Sequence, residues 1–412
     1  MIPSDAVDAD RLWARHMQLA RHGATANGGV DRQALSAAEV AAWREVIAWG
    51  RDAGLTPYTD AAGNLFLRLE GRDPDAAPVL TGSHLDSQPS GGKFDGVYGV
   101  LAGLEAVQAL RDAHVALRRP IEVVAWMNEE GSRFAPGMMG SAAFTGAAPL
   151  ERFLPIRDAD GTSVAEALGE LHTAFPEVAS RPLRRDVASY VEAHIEQGPI
   201  LEREGYVIGV VTGIQGKRTF RVTVHGEEAH AGTASRHERK DALLAAVRMI
   251  NALDSVMQAG GDDVKFTVGR LDVTPNAPSV VAGGAVFSID LRHVDSSRLA
   301  ALGDRIVPVC TANAGPCRVD VVELTTAMSL AFPESMRELI RRSADALGIP
   351  ARDILSSAGH DARFLHGICA TGMIFVPCAN GISHNPKESA KPDDLAAGAR
   401  VLVSVLETLA NA

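Results

Sequence analysis

The sequence predicts an α/β protein: a larger domain with a mixed, mostly parallel sheet between helices, interrupted by a smaller α+β domain of ferredoxin-like strand–helix order. Three observations carry this expectation. At 412 residues the chain is too long for one ordinary core. Up to about position 212, and again toward the end, short continuous apolar runs alternate with helical patterns, as strands buried on both faces do. From about 213 the runs alternate apolar and polar residues, the pattern of a half-exposed antiparallel sheet. The expected boundaries are 1–212 and 329–412 for the larger domain and 213–328 for the smaller.

In chain order, residues 8–24 and 37–54 have helical periodicity, and Gly54 closes the second. "NLFLRLEG" and "APVLTGSH" follow as strands, and the second leads into the loop "TGSHLDSQPSGGKFDG" at 81–96. "YGVLAGLEAVQALRDA" carries small and apolar residues on most faces and suits a buried helix. "RPIEVVAWMNEEGSRF" is an apolar strand that runs straight into two acids. In the smaller domain "KRTFRVTVHGEEAHAG" alternates as one strand and "RKDALLAAVRMINALDSVM" is a helix. Strands "KFTVGRLDV" and "GGAVFSIDLRH", one helix over 295–313 and the strand "CRVDVVEL" complete it. "PESMRELIRRSADALG" and the segment to 412 return to the first style.

Hydrophobic content of 46% and charged content of 22% are those of a globular chain. A net charge of −11 disfavours nucleic acid and anionic membrane as partners, since both need concentrated Lys and Arg. No run approaches the ~18 apolar residues of a membrane span. The N-terminal residues lack the basic-then-apolar order of a secretory signal. Cys310, Cys317, Cys369 and Cys378 show no CxxC pairing and read as reduced thiols, so a cytoplasmic location is expected.

Four places put histidine or acids at the end of a buried strand: His84 with Asp86 and Asp95, Glu129 with Glu130, His194 with Glu196, and His384. Any one alone reads as a solvated loop residue or a hydrogen-bonded core histidine. Four together do not, because charged groups seldom terminate so many core strands unless they are paired or metal-bound. Imidazole and carboxylate without thiolate suit Zn, Mn, Co or Ni in a catalytic site. Two metals sharing one carboxylate could activate a water and hold a carbonyl oxygen. Of the adjacent Glu129 and Glu130, one would ligate while the other acts as general base. Asp86, two residues after His84, would supply the acceptor that fixes the imidazole tautomer.

The runs "GSHLDSQPSGGKFDG", "NEEGSRF", "MMGSAAFTG", "EAHIEQGPILE", "HAGT", "DLRH", "AGHDA" and "GISHNPKE" occur in that order over nearly the whole chain. Together they resemble the N-carbamoyl-L-amino-acid hydrolase / allantoate amidohydrolase family, within the di-metal superfamily of aminoacylases and carboxypeptidase-like exopeptidases. The resemblance implies two divalent metal ions per subunit (Zn, or Mn, Co or Ni). His84, Asp95 and His194 would hold one, with Asp95 bridging to a second held by Glu130 and His384. Glu129 would be the general base and Asp86 the orienting acid. Peptidase branches usually place a carboxylate where this chain has His194, whereas the carbamoylase branch is similar to it in using histidine.

The same resemblance makes the smaller domain a lid that dimerises the protein. His230 would then serve the active site of the neighbouring subunit and stabilise the oxyanion; from the bare sequence it is a turn residue. Arg292 would capture a substrate carboxylate. Gln197, Asn276, Gly359, His360 and, more weakly, Arg218 are further substrate-pocket candidates; Arg218 could equally be an exposed strand residue. One departure stands out: the family commonly has asparagine as the second Asn of a "PNxxNV"-like run, and "PNAPSVV" has Ser279 there. The implied reaction is hydrolysis of an N-carbamoyl-L-amino acid to the amino acid, CO2 and ammonia. Allantoate amidohydrolase is the nearest alternative, then a dipeptidase or aminoacylase. A metal-free binding or scaffold protein on the same fold is the reading from a different class.

Overall fold

A computed structural model describes residues 2–412. Internal packing divides the chain into two compact units, Met1–Thr212 with Phe332–Ala412, and Gly213–Ala331.

The large unit opens with helices α1 (Ala9–Leu19) and α2 (Ala37–Asp52). Asp8 and Ser36 cap them by accepting from Arg11 N and Glu39 N. Strands β1 (Thr56–Thr59), β2 (Leu65–Leu69) and β3 (Val79–His84), helix α3 (Val97–Asp112), strand β4 (Ile121–Trp126) and helices α4 (Met139–Thr145) and α5 (Val164–Ala174) come next. Strands β5 (Ala179–Ser180) and β6 (Ser189–Ile195), helix α6 (Ile200–Glu204) and strand β7 (Ile208–Ile214) close this first part. The sheet runs in the order β7, then the late strand Ala370–Val376, then β6-β3-β4-β2-β1-β5. From the late strand through β6, β3 and β4 every pairing is parallel, while β4–β2, β2–β1 and the outer pairing with β7 are antiparallel. β3, β4 and β6 are buried along their whole lengths, which is why they read as continuous apolar runs. Their C-terminal ends open the crevice where open α/β sheets place ligands.

The small unit contains strands β8 (Gly216–His225) and β9 (Ala229–His230), helix α7 (Ala242–Gln258) and strands β10 (Lys265–Thr267), β11 (Leu271–Thr274), β12 (Val280–Val281) and β13 (Gly284–His293). Helices α8 (Ser296–Asp304) and α9 (Ile306–Asn313) and strands β14 (Arg318–Ala327) and β15 (Leu330–Ala331) finish it. Its antiparallel sheet runs β10-β13-β8-β14, with β11 also on β13. Phe220, Val222, Val224, Phe287, Ile289 and Leu291 alternate inward from β8 and β13 and form a core of their own with α7. The chain then returns to the large unit through helix α10 (Glu334–Ala346), strand β16 (Ala351–Ser356), helix α11 (Ala362–Leu365), strand β17 (Ala370–Val376) and helix α12 (Pro392–Asn411). β17 is the late strand of the large sheet, and α12 packs on α3.

Four expected elements differ, one being the strand "KFTVGRLDV", which is the two strands β10 and β11 with 268–270 between them. The first helix stops at Leu19 rather than 24, where "RHGATANGG" loses its apolar period and Gly23 adopts φ +86°. The helix expected over 295–313 is two, broken at Arg305. Pro308 explains the break: it has no N–H, and its ring collides with the carbonyl four residues back, that of Asp304. The strand expected through 232 ends at His225, and His230 sits on the separate two-residue strand β9. Among the described residues no helix is long and apolar enough to cross a membrane, and the four cysteines are free thiols.

One buried group gives a pH prediction for the fold. His16 on α1 has no measurable exposure and lies against Phe94 and Tyr98, at ring-centroid distances of 5.3 and 6.1 Å. Burial pulls its pKa from 6.5 down to about 3. The unfolded chain therefore takes up a proton between those values that the folded chain refuses, and stability falls as pH drops through that window by about 1.4 kcal/mol per unit at most. Above pH 6.5 the contribution is complete. His16→Leu is expected to flatten the decline of Tm between pH 6 and 4 in thermal unfolding; an unchanged slope would assign the acid loss to other groups.

Candidate metal centre

The loop after β3, the turn after β4, the end of β6 and the loop after β17 converge at the C-terminal edge of the parallel strands. Asp95 is their common point. Its Oδ1 lies 3.2 Å from His194 Nε2 and 3.7 Å from His84 Nε2. Its Oδ2 lies 3.2 Å from His384 Nε2, which is also 3.3 Å from Glu130 Oε2. His84, Asp95 and His194 thus form one group with ligand atoms within 4.8 Å of one another, and Asp95, Glu130 and His384 form a second. Glu129 Oε2 is 3.6 Å from His84 Nε2.

The local geometry explains why these residue types stand here. His84 Nδ1 contacts the carbonyl oxygen of Asp86 at 2.9 Å, and His194 Nδ1 contacts that of Ile195 at 2.8 Å. A carbonyl only accepts, so both Nδ1 atoms carry a proton and both Nε2 atoms face Asp95, that of His194 also lying 3.2 Å from Gly96 N. With Nε2 unprotonated, the two imidazole lone pairs and the carboxylate oxygens beside them form a donor set that fits a divalent cation. Gly96 is required beside them: at φ +66°, a Cβ there would lie 2.3 Å from the His84 ring.

Burial, opposed by Asp95, leaves the His84 pKa near 4. Burial also disfavours charge on His194, but its hydrogen bond to Asp95 prevails and raises it to about 9. The same bond to Asp95 lifts His384 to about 9. Burial would raise Asp95, yet His194 and His384 hold it well below the usual carboxylate range. Burial, then Asp361 and Glu130, push Glu129 well above that range, and burial with Asp95 takes Glu130 to about 8.

Asp86 acts differently from the expectation. Its main-chain oxygen, not its carboxylate, holds His84; the nearest carboxylate oxygen is 3.6 Å away. The carboxylate instead accepts from Glu129 N and Glu130 N, both at 3.1 Å, and so fixes the turn that presents those two acids. Gln197 donates to Asp95 Oδ2 at 2.7 Å. His360 is buried with its ring centroid 4.6 Å from that of His194, its Nε2 paired with Ser356 Oγ at 2.9 Å, while the neighbouring Gly359 is exposed.

The other candidates lie in the small unit. His230 Nδ1 accepts from Gly232 N and Thr233 N at 3.0 and 3.2 Å, which leaves Nε2–H as its donating end. Through the β9–β12 pairing Ser279 is adjacent, its carbonyl accepting from Ala231 N. Asn276, at φ +59°, lines a pocket with Asp241, Pro278 and Val280. Arg292 forks onto Asp290 at 2.8 and 3.1 Å. Arg218 does not fit a substrate role or an exposed position: it is 8% exposed, and Glu323, Asp304 and the Ala300 carbonyl engage all three of its nitrogens. It ties β8 to β14 and α8.

Sequence reasoning missed Glu388. Its buried carboxylate accepts from Phe94 N, Asp95 N and Ser383 Oγ, and Ser383 in turn donates to Asp95 Oδ2 at 2.8 Å. It binds the loop of Asp95 to the loop of His384. Its approach demands Gly92, where a Cβ would lie 2.0 Å from the carboxyl carbon. The available signal was its place four residues after His384 within "SHNPKE".

Comparison with known proteins agrees with this geometry. Residues 80–408 match the model of peptidase family M20/M25/M40. The chain belongs to that family. Among M20 relatives, it is similar to an N-carbamoyl-L-amino-acid amidohydrolase of Rhizobium meliloti, with 39% identity over 98% of this chain and 97% of that protein. It is also similar to an allantoate amidohydrolase of Bacillus subtilis, with 35% identity over 95% of each. A crystal structure of a hydantoinase/carbamoylase family amidase from Burkholderia vietnamiensis superposes with a TM-score of 0.90 at 42% identity, over 98% of both chains. Both histidine–carboxylate groups that could hold a metal ion lie within the matched residues.

Proposed function

We propose that the protein is a metal-dependent amidohydrolase that cleaves the ureido C–N bond of an N-carbamoyl-L-amino acid, releasing the L-amino acid, CO2 and ammonia. The observation that carries this is Asp95, shared by two histidine–carboxylate groups with Glu129 beside them. The name of the Rhizobium relative supports the substrate class. His84, Asp95 and His194 would hold one divalent cation, and Asp95, Glu130 and His384 a second, Zn or Mn, Co or Ni. Such ions supply Lewis-acid polarisation of a carbonyl and a lowered pKa for water.

The chain's own residues perform the rest. Glu129, whose proton affinity is raised by burial, would as the carboxylate take the proton of the attacking water and return it to the leaving nitrogen. Water adds to the carbamoyl carbon, the C–N bond breaks, and the carbamic acid released decomposes to CO2 and ammonia. His230 offers a fixed Nε2–H to the developing oxyanion. Arg292, by exchanging Asp290, receives the α-carboxylate, with Gln197, Asn276, Ser279, Gly359 and His360 as further pocket residues.

The small unit would act as a lid and as the contact of a homodimer. β14 is an edge strand with Val322 and Leu324 half exposed, which suits a second copy of the chain. The free thiols suit a cytoplasmic enzyme. Light scattering that finds a fully active monomer would remove the role of His230 across subunits.

Ser279 and the Bacillus relative favour a second reading, allantoate as substrate. Turnover of N-carbamoyl-L-methionine and of allantoate, after reconstitution with Mn, Co, Ni or Zn, separates the two. The expected result is preference for the carbamoyl amino acid; negligible turnover beside fast allantoate hydrolysis puts the second reading in its place.

A further inference from the structure

A third set of ligand-type residues, Glu192, His194 and His360, lies beneath the metal centre with atoms within 4.8 Å of one another. It is not a third cation site, because its atoms are already engaged. Glu192 Oε1 accepts from Ser83 Oγ at 2.7 Å, and Oε2 accepts from Ala362 N at 3.0 Å. His360 Nε2 is paired with Ser356. What Glu192 joins is informative. Ser83 immediately precedes His84, Glu192 stands two residues before His194 on the same face of β6, and Ala362 follows His360 by two.

The strands around it make that connection necessary. The paired register of β3 with β6 is Val79–Ser189, Leu80–Tyr190 and Thr81–Val191, and it stops there. Beyond it the two strands diverge as they approach the crevice, so no main-chain ladder holds the ends that carry His84 and His194 at a set distance. β6 keeps its ladder on the other side, with β17, as far as Ile195–Val376. Side chains bridge the open seam: Thr81 Oγ1 reaches Val191 O at 2.8 Å, and one step further Ser83 reaches Glu192. Tyr190, from the same face, donates to Gly82 O at 3.0 Å. A carboxylate with no exposure, spanning the seam between two diverging strands and reaching a third segment, sets a separation that packing alone leaves free.

We propose that Glu192 is a positioning residue: by bridging Ser83 and Ala362 it sets the separation of His84 from His194 and holds His360 behind them. This rests on the metal reading above and acts through those histidines without touching a cation or substrate. Glutamine can keep both bridges, its oxygen accepting from Ala362 N and its NH2 donating to the Ser83 hydroxyl, so it is the conservative variant; leucine has a similar size but offers no acceptor and breaks both.

The test is Co(II) titration of the metal-free, full-length chain, read by calorimetry and by the visible absorption of the Co(II) form. Glu192→Gln is expected to bind Co(II) as the parent does, whereas Glu192→Leu should bind it about tenfold more weakly, the low end of the effect of residues that orient ligands. The visible bands of Glu192→Leu should shift, and kcat should fall while KM holds. Parental Co(II) affinity with an unchanged spectrum in Glu192→Leu overturns the proposal. If Glu192→Leu does not fold, Ser83→Ala removes the opposite end of the same bridge without burying a new donor. Weaker Co(II) binding with shifted bands then supports the proposal, and unchanged binding and bands overturn it. A parent chain that binds Co(II) but hydrolyses no ureido compound defeats the substrate assignment while leaving this measurement intact; a parent that takes up no Co(II) overturns both.

Discussion

Glu129→Gln is expected to fold, to bind divalent metal within a few-fold of the parent, and to lose about 10²–10⁴-fold in kcat. The exchange keeps the shape of the side chain and the main-chain bond from Glu129 N to Asp86 Oδ1. It removes the one function assigned to the group, which is to hold a proton between attack and departure. Burial and the neighbouring Asp361 and Glu130 raise the proton affinity of Glu129, and an amide cannot substitute for that. Rate measurement and metal titration must be made on the same sample. Loss of metal along with rate would make Glu129 a ligand instead of a base, and a retained rate would move the proton transfer to another residue.

Asp95→Ala is expected to have the larger effect on metal content, because both ligand groups contain that carboxylate. Each of the other four ligand candidates belongs to one group only. Loss of Glu130 or His384 should therefore spare one ion, whereas loss of Asp95 should weaken both by more than the 10–100-fold seen when a supporting residue is removed. Activity should not return with added metal. Elemental analysis after dialysis distinguishes the cases, and an Asp95→Ala chain that retains one tightly held ion would show that Asp95 is not shared. The variant also strands its neighbours: Gln197 Nε2 and Ser383 Oγ lose a common acceptor.

Much of this site is legible in the sequence because metal ligation demands particular atoms at strand ends. Histidine and acid immediately after apolar runs are conspicuous where hydrophobicity changes abruptly, as at His84, Glu130 and His194. The supporting residues are harder to see. Glu192 lies inside the strand "SYVEAHI", and no periodicity tells whether an acid between apolar residues faces solvent or the underside of a ligand. Asp86 shows a related limit: its position was informative, but the sequence does not reveal that its carbonyl and its carboxylate serve different neighbours. Arg218 and Arg292 look alike as strand arginines. They part company only through Asp304 and Glu323, which lie 86 and 105 residues from Arg218. The divided helix at Arg305 was readable, since Pro308 stands where a continuous helix would need both an N–H and room for a ring.

The bond from Asp95 N to Glu388 closes a loop of 293 residues, and the whole small unit lies inside it. Such a closure would be costly to vary if the cost grew in proportion to length, but it grows logarithmically, by about 0.6 kcal/mol per doubling. The insertion also joins its own ends: Ile214 pairs with Leu330 and Gly213 with Ala331, and Thr212 O accepts from Phe332 N. From the standpoint of the metal ligands, the excursion between 212 and 332 is close to a short turn. Residues gained, lost or exchanged within it barely alter the entropy of assembling the ligand set. A lineage, or a protein engineer, can therefore redraw the loop that carries Asn276 and Ser279 while inheriting the ligand set unchanged.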